Sequence, residues 1–336
     1  MKAIQMDQTK KNLEEAISGL HVVTKEIPVP KRGQVLIKVE AAPCNPSDLI
    51  FLQGGYGVKK RLPTVPGWEG AGTVIESGSG LIGRYLLGKR VACAGQSDGD
   101  GTWAQYHLAE ASGCIPLSDE TSFEQGAALI INPLTAVGLV EKAVKEGHKA
   151  MIQTAALSQV GRMVQLLARK KGMPLINVVH REEQLEELTA SGQKWALNSS
   201  ASDFPIKLRK MALELKATIA FEAVAGEITG TMFNEMPKGS KIVVYGALSE
   251  KPCQGISPLG LIFENKQIEG FWLTEWLKES TFWHKMKVIR LVKKMVQKGE
   301  FQTKINGVYG FDEWKSALSS YSQKMTDGKV ILKPFS

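Results

Sequence analysis

The chain has 336 residues, 43% hydrophobic and 23% charged, with 33 glycines. That mix describes a folded protein of about two domains with a proper core, and it excludes disorder, collagen and coiled coil. The 42 basic residues exceed the 34 acidic ones by a formal +8, which suits anionic partners, but no zinc-finger, basic-zipper or RNP-like pattern accompanies the charge, so nucleic acid is set aside.

The first third reads as β-rich. "MKAIQM" and the stretch Gln34 to Cys44 carry alternating or β-branched apolar residues, Ala71 to Glu76 adds a glycine-punctuated strand, and another surrounds Val91. Pro28, Pro30, Pro43, Pro46, Pro63 and Pro66 interrupt any helical pattern. Short strands joined by Gly/Pro turns predict a small barrel-like β domain. Near Asp119 the rhythm changes. "SDETSFEQGAALI" opens like a helix, and from "KAMIQTA" onwards strands alternate with helical segments as far as "GSKIVVYGAL". Alternation at that spacing predicts βαβ units and a parallel sheet, hence an α/β Rossmann-type doubly wound domain from 119 to 268. The tail holds a basic amphipathic stretch from Thr281 to Lys298 and a final strand in "GKVILKP", expected to return to the β domain. The predicted organisation is therefore 1–118, 119–268 and 269–336. Four cysteines without CxxC spacing suggest a reducing compartment, the start lacks a secretory apolar stretch, and no apolar run is long enough to span a bilayer. A cytoplasmic protein is expected.

In an open parallel sheet the phosphates of a dinucleotide meet the first helix N-terminus. Here that turn is "QTAALSQVG", Gln153 to Gly161, with Ala155, Ala156, Ser158, Gln159 and Val160 as candidate contacts. It is not GxGxxG; Thr154 and Gln159 stand where glycine is usual, and Gly161 is left for helix–strand packing. After the second strand come His180 and Arg181. An acid there favours the ribose hydroxyls of NAD, whereas a guanidinium suits a 2′-phosphate, so NADPH is the expected cofactor.

"GWEGAGTV" (67–74), "GTWAQY" (101–106), "NPLTA" (132–136) and the terminal "GKVIL" resemble recurring motifs of the medium-chain dehydrogenase/reductase superfamily, along essentially the whole chain. The resemblance implies a GroES-like catalytic domain beside the Rossmann domain, and pairing through the Rossmann sheet into a homodimer. Zinc members of that superfamily place a cysteine where Asn45 lies and a histidine where Trp68 lies, so no zinc is expected. Within the superfamily, "NPSDLIFLQGGYG" (45–57), the loop 153–161 and "LIFENKQIEGFWLTEW" (261–276) resemble the 2-enoyl thioester reductases. Gln159 and Trp68 depart from that subgroup's pattern.

Reduction of an enoyl thioester delivers hydride to Cβ and a proton to Cα, and charge collects on the carbonyl oxygen, which a hydrogen-bond donor must face. The resemblance assigns that role to Tyr56, whose phenol is neutral at pH 7 and whose flanking glycines permit close approach. Asn45 either contacts substrate, orients Tyr56, or simply serves the turn. Thr135, Tyr245 and Gly246 are candidate cofactor contacts. Phe271, Trp272 and Leu273 line the nicotinamide or pack in the core, and Trp276 is placed at the acyl channel. Lys59, Lys60 and Arg61 are candidates for a phosphate-bearing thioester carrier, coenzyme A or an acidic acyl carrier protein. Two competing functions share the fold: a zinc-independent NADPH:quinone oxidoreductase, and a dehydrogenase-like binding protein without chemistry.

Overall fold

The computed structural model describes residues 1–336. Its chain opens with strand β1 (Lys2–Gln5), helix α1 (Leu13–Ser18) and β2 (His21–Thr24), followed by the long β3 (Gln34–Pro43), α2 (Pro46–Leu52), β4 (Glu69–Ser77), α3 (Leu81–Leu86), β5 (Arg90–Ala94), β6 (Tyr106–Glu110), β7 (Ile115–Pro116) and α4 (Phe123–Ala127). Strands β3 and β4 are buried along most of their length, and β4 becomes exposed towards its C-terminal end. Helix α5 (Ile131–Lys145) begins the second rhythm: β8 (Ala150–Gln153), α6 (Gln159–Lys171), β9 (Leu175–Val179), α7 (Glu182–Ala190), β10 (Ala196–Asn198), α8 (Phe204–Leu215), β11 (Ala217–Glu222), α9 (Glu227–Glu235), β12 (Lys241–Val244), α10 (Pro258–Phe263) and β13 (Gln267–Gly270). The chain finishes with α11 (Leu273–Glu279), α12 (Phe282–Gln297), β14 (Ile305–Gly310), α13 (Trp314–Gln323) and β15 (Lys329–Lys333).

The chain divides into two units, 1–133 with 289–336, and 134–288. In the first, the strand path runs β14-β15-β3-β4-β5-β7, with β6 also paired to β3, and β1 pairs with β2 separately. The last strand, β15, lies antiparallel to β3 and parallel to β14. Its side chains join a core made by Ala3, Ile4, Val39, Leu49, Leu52, Trp103, Leu318 and Leu332. In the second unit six parallel strands are ordered β10-β9-β8-β11-β12-β13. This is the doubly wound order whose direction reverses between the first and fourth strands, here β8 and β11, where a crevice opens beyond the strand ends. Strand β9 is buried at all five positions, as a central parallel strand must be. Helix α6 stops where Gly172 takes φ 64°, a left-handed C-cap.

Two boundaries differ from those read from the sequence. Residues 119–133 belong to the first unit: Ala127 packs with Ala41, Ala71 and Ile331, and the amides of Ile130 and Ile131 donate to Glu69. The helix that opens in this stretch is the short α4, capped by Ser122, and a separate helix starts at Ile131. Residues 269–288 belong to the second unit, since β13 pairs with β12 and α11 follows it directly. The tail that completes the first unit begins at Ile289.

Candidate active site

The first unit holds a buried polar cluster at the start of α2. Asn45 is the residue before the helix, 1% exposed, and Pro46 fixes the first helical position. Its backbone N–H donates to Asp48 Oδ2 at 2.8 Å, and Asp48 Oδ1 accepts from the N–H of Trp68 at 3.0 Å. The Asn45 amide Nδ2 donates to Glu69 Oε1 at 3.1 Å, while its Oδ1 accepts from Lys329 Nζ. Lys329 Nζ lies 3.7 Å from Glu69 Oε1, and both side chains are almost fully buried. Glu69 Oε2 accepts from the amide of Ile131 at 2.9 Å. Strands β4 and β15 thus meet the head of α2 through one hydrogen-bonded network. Burial pushes the Asp48 carboxyl up to about 7 and the Cys44 thiol well above its ordinary value.

Above this network sits Trp68. Tyr56 packs on it with ring centroids 4.9 Å apart, and Phe51 meets it edge-on at 5.1 Å. Tyr56 is half-buried in the turn that follows α2, where Gly54 has φ 76°, a conformation that favours glycine. Of the three neighbouring cations, Lys59 donates to the Gly54 carbonyl at 2.8 Å and Arg61 is exposed. Lys60 does not project outward with them: its ammonium lies 4.5 Å above the Trp68 ring and is buried.

The donor set at Asn45 and Trp68 does not fit zinc. An amide and an indole replace the two ligands, the Cys44 thiol is held protonated, and both nearby carboxylates are engaged with backbone amides. No group of three or more His, Cys, Asp or Glu is arranged to hold a metal ion.

The second unit brings another set together at the ends of β8 and β11. Thr154 is buried; its hydroxyl donates to Glu222 Oε1 at 3.2 Å and accepts from the amide of Ala223 at 2.8 Å. Glu222 also receives the amides of Val224 and Ala225 and the Thr229 hydroxyl. A residue that looked like a defect in a glycine motif is therefore the pin between two strand ends. Ala155 takes φ 47°, Ala156 is fully buried, and Ser158 caps the 13-residue α6 by accepting from the amide of Gly161 at 3.1 Å. Gln159 and Val160 form the first turn, half-buried. Gly161 has no space for a side chain, because a Cβ there meets the Ala156 carbonyl at 2.5 Å. The Tyr245 hydroxyl shares a hydrogen bond with Ser158, and burial raises its pKa. Gly246 follows, close against the Ala223 backbone.

His180 and Arg181 stand exposed at the end of β9, with His180 Nδ1 3.2 Å from Ser199 Oγ. Thr135 is buried in α5. Phe271, Trp272 and Leu273 are half-buried after β13, where Phe271 packs on Trp276 at 6.2 Å and Trp276 meets His284 edge-on at 5.4 Å. Gly138 of α5 lies under both Phe271 and Trp276. These rings border a cavity of about 810 Å³ that Glu141, Lys145 and Lys287 also line.

Sequence reasoning did not single out Asp48, Glu69, Lys329, Thr229 or Glu222. Glu69 and Lys329 were inside quoted motifs, "GWEGAG" and "GKVIL", and a charged residue within a strand expected to be buried is the signal that was available.

Residues 31–119 match the alcohol dehydrogenase GroES-like domain and residues 160–289 the zinc-binding dehydrogenase model. A mitochondrial enoyl-[acyl-carrier-protein] reductase of Arabidopsis thaliana is 31% identical over 264 residues, 76% of this chain and 69% of that protein. Its counterpart in Dictyostelium discoideum is 30% identical over 308 residues, 89% and 85% of the two chains. The crystal structure of a Mesorhizobium loti protein assigned as an NADPH:quinone reductase superposes with TM-score 0.90 at 35% identity, covering 99% of this chain and 98% of that one.

Proposed function

The chain belongs to the medium-chain dehydrogenase/reductase superfamily, and from that membership we propose that it is an NADPH-dependent reductase of the C=C bond of an α,β-unsaturated carbonyl, with a 2-enoyl thioester as substrate. One observation carries this reading. Tyr56 sits on Trp68 in a glycine-flanked turn, beside a centre that holds Asn45 and Trp68 in place of metal ligands. With no Lewis acid fitted there, a neutral phenol is the donor available to polarise a carbonyl. The buried network beneath fixes Asn45 and Trp68 from three elements, which keeps Tyr56's platform in place.

NADPH fits the second unit. The capped N-terminus of α6 lies at the crevice between β8 and β11, where the helix dipole favours a pyrophosphate. The Ala155–Ser158 loop is built of small side chains apart from Leu157, and Arg181 stands exposed at the end of β9 for a 2′-phosphate. When bound, the cofactor supplies the hydride that reaches Cβ. Tyr56 donates a hydrogen bond to the substrate carbonyl as charge moves onto its oxygen, and Phe271 and Trp272 give the ring an apolar wall.

The test is an NADPH-oxidation assay with crotonyl-CoA. Tyr56→Phe is expected to lose roughly 100-fold in kcat with NADPH affinity unchanged. Absence of turnover of any enoyl thioester or enone by the wild type refutes the reading. The 35% identity to the Mesorhizobium loti protein favours a second one, quinone reduction, which needs no proton donor matched to a thioester. In that case Tyr56→Phe leaves quinone turnover nearly intact.

A homodimer joined at β13 is supported by the edge position of that strand and by the exposed Leu259, Leu261, Ile262 and Phe263 just before it. No helix is long and apolar enough to cross a membrane. Four free cysteines support a reducing compartment such as the cytoplasm, although the curated relatives are mitochondrial by name. The exposure of Lys59 and Arg61 supports their role as cations for a coenzyme A or carrier-protein phosphate.

A further inference from the structure

Lys60 is the anomaly of the first unit. Nearby lysines have partners: Lys59 donates to a backbone carbonyl, and Lys25 pairs with Asp100 at 2.5 Å. Lys60 has no hydrogen-bond acceptor and no ion-pair partner, yet its ammonium is buried, 4.5 Å above the face of Trp68 and 5.6 Å from that of Phe51. A buried ammonium without an anion is costly, and two aromatic faces recover only part of that cost. The carboxylates near it are committed elsewhere. Asp48 accepts the amides of Asn45 and Trp68, and Asp100 holds Lys25 and the amide of Val65.

We propose that Lys60 is a further catalytic residue: its ammonium takes the substrate oxygen on which negative charge collects, within the ring cluster that Tyr56 and Trp68 share. The proposal rests on the reductase reading above. Hydride addition forms a C–H bond at Cβ and turns the Cα=Cβ π pair into a Cα=C bond. The carbonyl π pair moves onto oxygen, giving an enolate. Two electrons arrive with the hydride from the cofactor, which is oxidised as the double bond is reduced, and a proton taken from solvent through the site's donors completes Cα. At the enolate stage the oxygen carries a full charge. A phenol hydrogen bond and an unspent cation then act together, and the cation gains most because it had no partner before the charge appeared. Trp68 makes the arrangement possible, since it holds the ammonium by its ring face and leaves the N–H bonds uncommitted.

The electrostatic surroundings agree. Burial brings the Lys60 ammonium down to about 8, while Asp48 on α2 and Asp98 and Asp100 after β5 pull the other way; His107 on β6 also faces it. The group is therefore mostly protonated at pH 7 and loses its charge just above.

Acetoacetyl-CoA is a suitable probe, because its 1,3-dicarbonyl ionises to an enolate that absorbs in the near ultraviolet. The wild type is expected to develop the enolate band on binding at pH 7. Lys60→Met should bind the probe, read by quenching of tryptophan fluorescence, without the band, and Lys60→Arg should restore it. In turnover, Lys60→Met should lose roughly 100-fold in kcat with little change in KM. Wild-type kcat should fall as pH rises through about 8, a fall absent from Lys60→Arg. An undiminished band in a folded Lys60→Met variant, or no band in the wild type, overturns the proposal. Failure of the wild type to reduce any unsaturated carbonyl defeats instead the reading on which it rests.

Discussion

Replacing Lys329 by Met tests whether the network under Asn45 is held by charge. Methionine keeps most of the aliphatic stem, so the loss is confined to the ammonium. The ammonium stands 3.7 Å from Glu69 Oε1, with both side chains at 2% exposure or less. Coulomb's law at an effective dielectric of 20 gives about 4.5 kcal/mol for that separation. Removing one partner of a buried pair costs about 3–5 kcal/mol, because the other charge stays buried without compensation. The two arguments agree. For a unit of this size the loss corresponds to a fall of roughly 10 °C in its unfolding temperature. Differential scanning calorimetry of Lys329→Met, Glu69→Gln and the double variant measures it. The double variant should recover most of the loss, since neither charge then remains. A cost below about 1 kcal/mol for Lys329→Met, the range of exposed pairs, or no recovery in the double variant refutes the reasoning.

Arg181→Ala should weaken NADPH binding by roughly 10- to 100-fold, the worth of a hydrogen bond to a charged group, and leave NADH binding unchanged in fluorescence titrations. Gly161→Ala should destabilise the second unit by about 1–3 kcal/mol in urea unfolding, because the added Cβ meets the Ala156 carbonyl at 2.5 Å. Two buried groups should give opposite pH dependences. Asp48, raised to about 7, keeps in the fold a proton that the unfolded chain gives up above about pH 4, so its contribution to stability is full below that pH and is lost by about 7. His107, lowered to about 4, refuses a proton that the unfolded chain accepts below about 6.5, so stability falls as pH drops through that window. On acidification from about pH 6.5 to 4.5, His107→Gln should therefore gain about 2 kcal/mol relative to wild type and Asp48→Asn should lose about as much. Equal slopes in chemical denaturation of all three proteins contradict both assignments.

The βαβ rhythm was legible because each strand and helix of the second unit carries its own periodicity and caps, as with Ser158 before α6 and Gly172 after it. The candidate cofactor loop is contiguous and can be read in the same way. The buried cluster at the head of α2 is not. Asn45 and Lys329 touch across 284 residues, and nothing local to either announces the other. Tyr56 is a candidate through its glycine-flanked turn and the resemblance around it, while Asp48, Glu69 and Lys329 were hidden by being charged residues in apolar strands or turns. Lys60 is grouped in the sequence with Lys59 and Arg61 as a candidate for a phosphate-bearing carrier, because adjacency does not reveal which side chain turns inward onto Trp68. The displaced boundary at 119–133 has a similar cause: Glu69 reaches sixty-odd positions along the chain to hold the amides of Ile130 and Ile131.

Strand β15 has a consequence for how the protein is made. It supplies Lys329 to Asn45 and lies between β14 and β3, so the cluster at the head of α2 stays open until Lys329 has left the ribosome, long after Asn45 and Glu69. The second unit is contiguous and can close as it is synthesised, whereas the first must keep Glu69 and Asn45 waiting for their cation. A nascent chain stalled before Lys329 therefore carries a finished second unit and an unfinished first one.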